Sequence, residues 1–433
     1  MPGLRSRTAR TAAAALLLGV LGAAQVPASG TPLRGDLDPV TVERLDRAIE
    51  DVMEEADIPG ANVGVWIDGR GDYVRSFGSA DTALGLPMKT DLYSRIGSVT
   101  KTFTITGLLR LVDDGKVGLD DPVSRYVDGV PGGDRITVRQ LADMRSGLYN
   151  YTEDEGLLNT MKADPQHSWT PRQLVDIAFR HPPDFAPGTK WEYSNTNTVL
   201  LGMLIEKVTG QPLDAYLEQQ VFGPAGLNAT SLPSTGAMPS PYVHGYTNFT
   251  PDGTTADASN QNPSWAWAAG AAVSDLEDLH RWVPVLVTGA LPDGERLLEK
   301  GTQAQRLRMG PTGHPGIGYG LGIAELDGWI GHNGELPGYE AIAVGLPSAG
   351  ATLVILVNAD TDKGGNLSSQ LAAAITKIIT PEHAWEIPEA AHPAGPSSPP
   401  SPPAPTSPPA PTSPATPESP TAPESPAPAT PQR

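Results

Sequence analysis

Three short motifs, widely separated in this 433-residue chain, constrain its fold more than any other feature. They are Ser98-Val99-Thr100-Lys101, Tyr193-Ser194-Asn195 and His332-Asn333-Gly334. Singly each is a weak signal: composition alone yields an S-x-x-K match on the order of once in a chain of this length. Read together, they demand a fold that returns a late segment, and a middle one, to an early helix.

The residue types in these motifs belong to one chemistry. Residues three apart on a helix share a face, so Lys101 reaches the Ser98 hydroxyl. At the first turn of a helix, unpaired backbone N–H groups favour negative charge developing at the serine. A serine hydroxyl needs a base to become a nucleophile. Lys101 and Tyr193 are the two candidates, and both titrate near pH 10 when unperturbed. Burial lowers the lysine, a neighbouring cation lowers the tyrosine, and the two are expected to titrate as a coupled unit. Asn195 offers an amide to a substrate carbonyl or to the Lys101 head group. His332 is placed on or beside a strand edge, and Gly334 permits close backbone approach. The Glu335 N–H, just after that glycine, is expected to complete an oxyanion hole with the Ser98 N–H.

Other site types are absent. There is no G-x-S-x-G elbow, no H-E-x-x-H, no cysteine and no phosphate-binding loop, and the eight histidines are scattered. No metal or cofactor is therefore implied. A net charge of −19 argues against nucleic acid as a partner.

The two ends read differently from the body. Arg5, Arg7 and Arg10 precede an apolar stretch at 11–24 and the small residues Val26-Pro27-Ala28, so residues 1–28 are expected to be a secretory signal peptide, with an N-terminal anchor as the alternative. No cysteine follows for lipid attachment. Residues 392–433 are almost entirely Pro, Ser, Thr and Ala, a composition that buries no core, so a disordered tail is expected. A secreted or cell wall-associated protein follows, with the tail as a spacer through wall polymer or a tail without specific role. Leu232-Pro233-Ser234-Thr235-Gly236 matches a wall-sorting pentapeptide, but lacks the apolar helix and basic end that should follow it, and is read as a loop.

The hydrolase body is expected over 36–390. Apolar spacing predicts helices at 41–56, from Ser98 to Gly115, and at 172–179, 198–209 and 367–379. Strands are expected at 61–67 and 73–77 around the Asp68–Asp72 turn, then at 319–324, 341–346 and 352–357. The implied class is α+β: an antiparallel sheet built from both termini and flanked by helices, with a mainly helical region inserted and the site at the seam.

These residues resemble the serine β-lactamase and penicillin-binding superfamily, in the branch holding class C β-lactamases, Streptomyces-type D-alanyl-D-alanine carboxypeptidases and related esterases. The likeness covers about residues 40–380. It rests on the 96–103 segment around Ser98, Met144-Arg145-Ser146-Gly147-Leu148, Pro187-Gly188 ahead of Tyr193, Gly318-Tyr319-Gly320-Leu321 and Gly331-His332-Asn333-Gly334. The resemblance implies Ser98 as acyl acceptor, Lys101 and Tyr193 as its proton partners, and Asn195, His332, Asn333, Gly334 and Glu335 around the substrate. The third motif is H-x-G where class C β-lactamases have K-T-G, which favours the peptidase or esterase branch. Asn333 and Glu335 depart from the H-T-G pattern of the peptidases, and no arginine stands just before Gly318. Trp265 and Trp267 are candidates for pocket walls or ordinary core aromatics. The expectation is a D-alanyl-D-alanine carboxypeptidase-like hydrolase acting on peptide, ester or β-lactam, with cell-wall peptidoglycan as its source of substrate. The alternatives are an esterase, D-amino-acid amidase or β-lactamase, and a penicillin- or wall-binding protein without turnover.

Overall fold

The computed structural model describes residues 35–361 and 365–386. The expected signal peptide and the Pro-rich tail lie outside the described residues.

The first strands are β1 (Gly60–Ile67), β2 (Gly71–Asp81) and β3 (Leu86–Pro87). The C-terminal half supplies β4 (Gly310–Pro311), β5 (Ile317–Tyr319), β6 (Ala324–Leu326), β7 (Trp329–Leu336), β8 (Tyr339–Leu346) and β9 (Ala351–Val357). They form one antiparallel sheet in the spatial order β3-β2-β1-β9-β8-β7-β6-β5-β4. Early and late halves of the chain join at β1 and β9, with Val63 opposite Ile355. The sheet is thus built from both termini, as the strand pattern predicts.

The central strands β1, β8 and β9 are buried along their whole length because helices cover both faces. Side chains alternate between the two faces with period two. Val63, Val65, Ile342, Val344, Leu353 and Ile355 pack with Leu45 and Ile49 of helix α1 (Pro39–Glu55) and Leu371 and Ile375 of the C-terminal helix Leu367–Ile379. Trp66, Ala341, Ala343, Val354 and Leu356 face the opposite way, into the core of the inserted helical region. A Cβ on Gly64 would stand 2.1 Å from the Trp66 ring, so the glycine makes room for that indole.

Three helices of the inserted region matter for the site: α2 (Thr100–Asp113), α3 (Asn195–Thr209) and α4 (Leu276–Thr288), with the C-terminal helix Leu367–Ile379 then α5. The α2 pattern predicts one buried stripe, but every residue from Thr100 to Leu109 is buried. Its threonines permit this by satisfying their own hydroxyls: Thr102 Oγ1 donates to Val99 O at 2.7 Å, Thr104 Oγ1 to Ala268 O at 2.8 Å and Thr106 Oγ1 to Thr102 O at 2.6 Å. Helix α3 starts at Asn195, three residues earlier than the apolar spacing indicates. The single strand expected at 319–324 is two short ones, β5 and β6, because the chain reverses at Gly320–Gly322, where Gly322 has φ +66°. Helix α4 carries an interior proline, Pro284, which hides an otherwise clear pattern of Leu279, Trp282, Val283 and Leu286.

Candidate active site

Ser98 lies in a short 3₁₀ turn, Gly97–Val99, that runs directly into α2. Gly97 takes φ +49°, and the turn is anchored by Thr100 Oγ1 donating to Gly97 O at 2.7 Å. One turn further on, Lys101 is buried, and its Nζ sits 2.9 Å from Ser98 Oγ. The other neighbours of that nitrogen are Asn195 Oδ1 at 2.7 Å and Ala269 O at 2.8 Å. All three are neutral. With no carboxylate to pair the ammonium, burial pushes the Lys101 amine well below its ordinary range.

Tyr193 reaches Ser98 from the other side, its Oη donating to Ser98 Oγ at 2.8 Å. The Met144–Leu148 motif delivers it. Glu192 N donates to Met144 O at 3.0 Å and Gly188 N to Arg145 O at 2.8 Å, which fixes the loop that ends at Tyr193. Asn195 opens α3, its N–H held by Asn150 Oδ1 at 3.0 Å and its Nδ2 by Thr152 Oγ1 at 3.1 Å, so its oxygen is turned onto Lys101. Of the two roles open to Asn195, this geometry is the one that holds the lysine. The expected fall in the Tyr193 pKa does not occur. Burial, the larger effect, raises it over the opposing influence of the hydrogen bond to Ser98.

A consistent hydrogen-bond assignment follows. A neutral amine gives its two N–H groups to Asn195 Oδ1 and Ala269 O, and its lone pair takes the Ser98 proton. The phenol stays protonated and donates to the same oxygen. With the amine in its neutral form the coupled pair of the sequence reading would divide, Lys101 accepting from Ser98 and Tyr193 donating to it. Ala269 was not among the candidates, since a backbone carbonyl in Ala268-Ala269-Gly270 leaves no signal in its side chain. Trp267 packs its ring on Gly202 of α3, where a Cβ would stand 2.8 Å away, and so belongs to the core. Trp265 borders a small cleft with Leu336 and Pro337, and its carbonyl accepts from Tyr151 Oη at 2.6 Å.

Strand β7 brings the third motif against this cluster. Gly334 is its point of closest approach: a Cβ there would lie 2.0 Å from Ile96 O and 2.7 Å from Ser98 N. A Cβ on Gly97 would lie 2.3 Å from Glu335 N. These two glycines allow the crossing, which brings the backbone at Ser98 and the backbone at Glu335 against each other. Strand alternation separates the remaining residues. His332 and its cross-strand partner Ala343 lie on the Ser98 face, while Asn333 pairs with Ile342 of the opposite core. Glu335 pairs with Glu340, whose carboxylate accepts from Ser368 N at the start of α5 at 2.7 Å, and Asn366 Nδ2 lies 3.4 Å from Glu335 Oε2. The side chain of Asn333, expected at the substrate, and the carboxylate of Glu335 are thus turned to the α5 side by the two-residue repeat of the strand. Only the backbone of Glu335 lies toward Ser98.

His332 is buried. Its Nδ1 is 2.5 Å from Asn333 O and its Nε2 is 3.1 Å from Tyr319 Oη. Burial is the main cause that pushes it down to about 3, with Lys101 adding to this whenever its amine is charged, so the ring is neutral near neutral pH. Among the described residues no His, Cys, Asp and Glu group is arranged to hold a metal ion.

The comparisons agree with this geometry. The family model described as Beta-lactamase matches residues 45–376. A D-aminopeptidase of Cereibacter sphaeroides is 27% identical over 363 residues, covering 82% of this chain and 66% of its own. Penicillin-binding protein 4* of Bacillus subtilis is 28% identical over 305 residues, covering 67% of this chain and 66% of its own. The chain thus spans just under two thirds of the length of these relatives. Among solved structures, a D-stereospecific amidohydrolase from a Streptomyces species is 34% identical with a TM-score of 0.70, covering 78% of this chain and 99% of its own. The D-amino acid amidase of Ochrobactrum anthropi, complexed with D-phenylalanine, is 28% identical with a TM-score of 0.67, covering 77% and 98%. From its strand order, its Ser98 cluster and the family match across most of its length, the chain belongs to the Beta-lactamase family.

Proposed function

We propose that this serine hydrolase works through an acyl-enzyme on Ser98 and cleaves amides or short peptides whose acyl side is a D-residue. The observation that carries the first half is a buried Lys101 amine, with no carboxylate partner, 2.9 Å from a serine oxygen that also accepts from Tyr193. Lys101 takes the Ser98 proton as Oγ bonds to the substrate carbonyl carbon. The carbonyl oxygen gains the negative charge and rests between the Ser98 and Glu335 N–H groups. Collapse breaks the C–N bond, the leaving nitrogen takes the Tyr193 proton, and the proton held by Lys101 restores the phenol. Water then attacks the ester by the same route, releasing the acid and Ser98.

Rim charge and the relatives' names support the second half. Glu153 lies 3.1 Å from Asn150 Nδ2, one hydrogen bond from Asn195. Glu192, beside Tyr193, is pushed up by burial and by the charges of Asp184 and Glu153. Such a rim favours a substrate ammonium over a carboxylate. The arginines near the site are engaged elsewhere: Arg306 with Thr106 Oγ1 at 2.8 Å and Thr102 O at 3.0 Å, Arg145 with Pro311 O at 2.6 Å. Relatives named D-aminopeptidase and D-amino acid amidase point the same way. The likeness to a penicillin-binding protein keeps a second reading, a carboxypeptidase on peptides ending in D-alanine. Export from the cell is part of the proposal and rests on the basic and apolar pattern of residues 1–28.

The test compares D- and L-phenylalaninamide, the N-acetylated D-amide, and an N-acylated peptide ending in D-Ala-D-Ala. Cleavage of the D-amide at least about tenfold faster than its L and acetylated forms supports the proposal. Preference for the acylated D-Ala-D-Ala peptide installs the second reading instead.

A further inference from the structure

His332 has no free ring nitrogen. Asn333 O can only accept a hydrogen bond, so the nitrogen 2.5 Å from it, Nδ1, carries the proton. In the neutral ring Nε2 is then an acceptor, and Tyr319 Oη, 3.1 Å away, is its donor. Tyr319 is 3% exposed and stands edge-on to two rings, at 90° to His332 with centroids 5.9 Å apart and at 84° to Tyr193 with centroids 6.4 Å apart. Trp191 packs on it at 5.6 Å. Its phenol is therefore aimed by packing, and it points at the one histidine of the third motif.

We propose that Tyr319 is a positioning residue: its hydroxyl locks His332 as the neutral Nδ1–H tautomer, so that the imidazole serves as a fixed uncharged wall beside Tyr193 and takes no proton from substrate or serine. The proposal rests on Ser98 being the acyl acceptor and assigns a role to the Gly318-Tyr319-Gly320 segment that the acyl-enzyme chemistry leaves idle. The groups facing His332 are Lys101 from α2, Tyr193 from the loop before α3 and Tyr319 from β5, with Arg306 and Asp143 acting on Tyr319 from behind. A second proton on the imidazole would put a cation beside Tyr193 and Lys101. With the Tyr319 hydroxyl donating, Nε2–H would meet its hydrogen atom, and the O–H would have to rotate out of the packed arrangement to accept instead. Without that hydroxyl, the neutral ring loses a hydrogen bond that only the neutral form can accept, and proton uptake becomes easier.

Nitrogen-15 NMR of the full chain labelled at histidine, with His332→Gln to assign the signal, reads the tautomer without turnover. The wild type should show Nδ1–H and no titration between about pH 5 and 9. Tyr319→Phe should populate the Nε2–H form, or raise the His332 midpoint far enough for its titration to enter that window. Acylation by an ester reporter should fall about tenfold in Tyr319→Phe and should not fall further when Tyr319→Phe is added to His332→Gln. Nε2–H in the wild type, or additive losses in the double variant, overturns the proposal. Absence of acylation at Ser98 in the wild type would instead remove the acyl-enzyme reading and leave the tautomer result standing by itself.

Discussion

Lys101 shows how burial changes the proton affinity of a single position. Its amine is enclosed by Ser98 Oγ, Asn195 Oδ1 and Ala269 O, none of them charged. The folded-state pKa is depressed, so between that value and the ordinary lysine value of 10.5 the unfolded chain holds a proton that the native state does not. Stability must then rise with pH across that window and level off near the ordinary value. Replacing Lys101 with Met removes the term. Urea unfolding from neutral pH to about pH 10 should give a flatter stability profile for Lys101→Met than for the wild type, and acylation should fall by about 10²- to 10⁴-fold. A parallel pair of profiles would show that the lysine stays charged. The neighbouring residues differ in how openly the sequence declares them. Ser98, Lys101, Tyr193 and Asn195 were legible because the cluster is built from their side chains. Ala269 was not, since it contributes only a carbonyl. For Glu335 the sequence left the direction of the carboxylate open, and strand alternation sends it to the α5 side.

At the scale of elements, the site is a crossing of strand β7 with the turn that begins α2. Its closeness depends on Gly334 and Gly97, where any Cβ would enter the other chain segment's backbone. Gly334→Ala should therefore separate the Ser98 and Glu335 N–H groups. The expected result is about 1–3 kcal/mol of lost stability, the usual cost of overpacking, together with a loss of acylation of about 10²-fold or more. A variant that loses stability but acylates at the wild-type rate would detach the strand from the chemistry. The elements themselves were read with uneven success. Helix α5 and strands β1, β8 and β9 follow from continuous or periodic apolar runs. The β5–β6 reversal and α4 were obscured by local residues, Gly320, Gly322 and Pro284, whose effect depends on what packs around them. Pro284 survives inside α4 because the flanking Leu279, Trp282, Val283 and Leu286 are anchored in the core. Tertiary burial there outweighs a local preference that a sequence reading must weigh heavily.

For the whole molecule, the sheet joins early and late chain segments and thereby carries a motif at 332 back to one at 98. The inserted helices carry the third, at 193, to the same serine. This topology was readable because strands appear near both ends of the body with helices between. What the motifs could not disclose is substrate choice, which on the proposed reading would follow from the acidic rim and from side-chain directions set only by packing. The central claim is that three distant segments converge to make Ser98 a nucleophile. Intact-mass spectrometry after mixing with a penicillin and with a D-aminoacyl ester, followed by peptide mapping, tests it most directly. The account predicts one covalent adduct, on the peptide containing Ser98, and none in Ser98→Ala. Hydrolysis that proceeds undiminished in Ser98→Ala, or an adduct on any other residue, would contradict it.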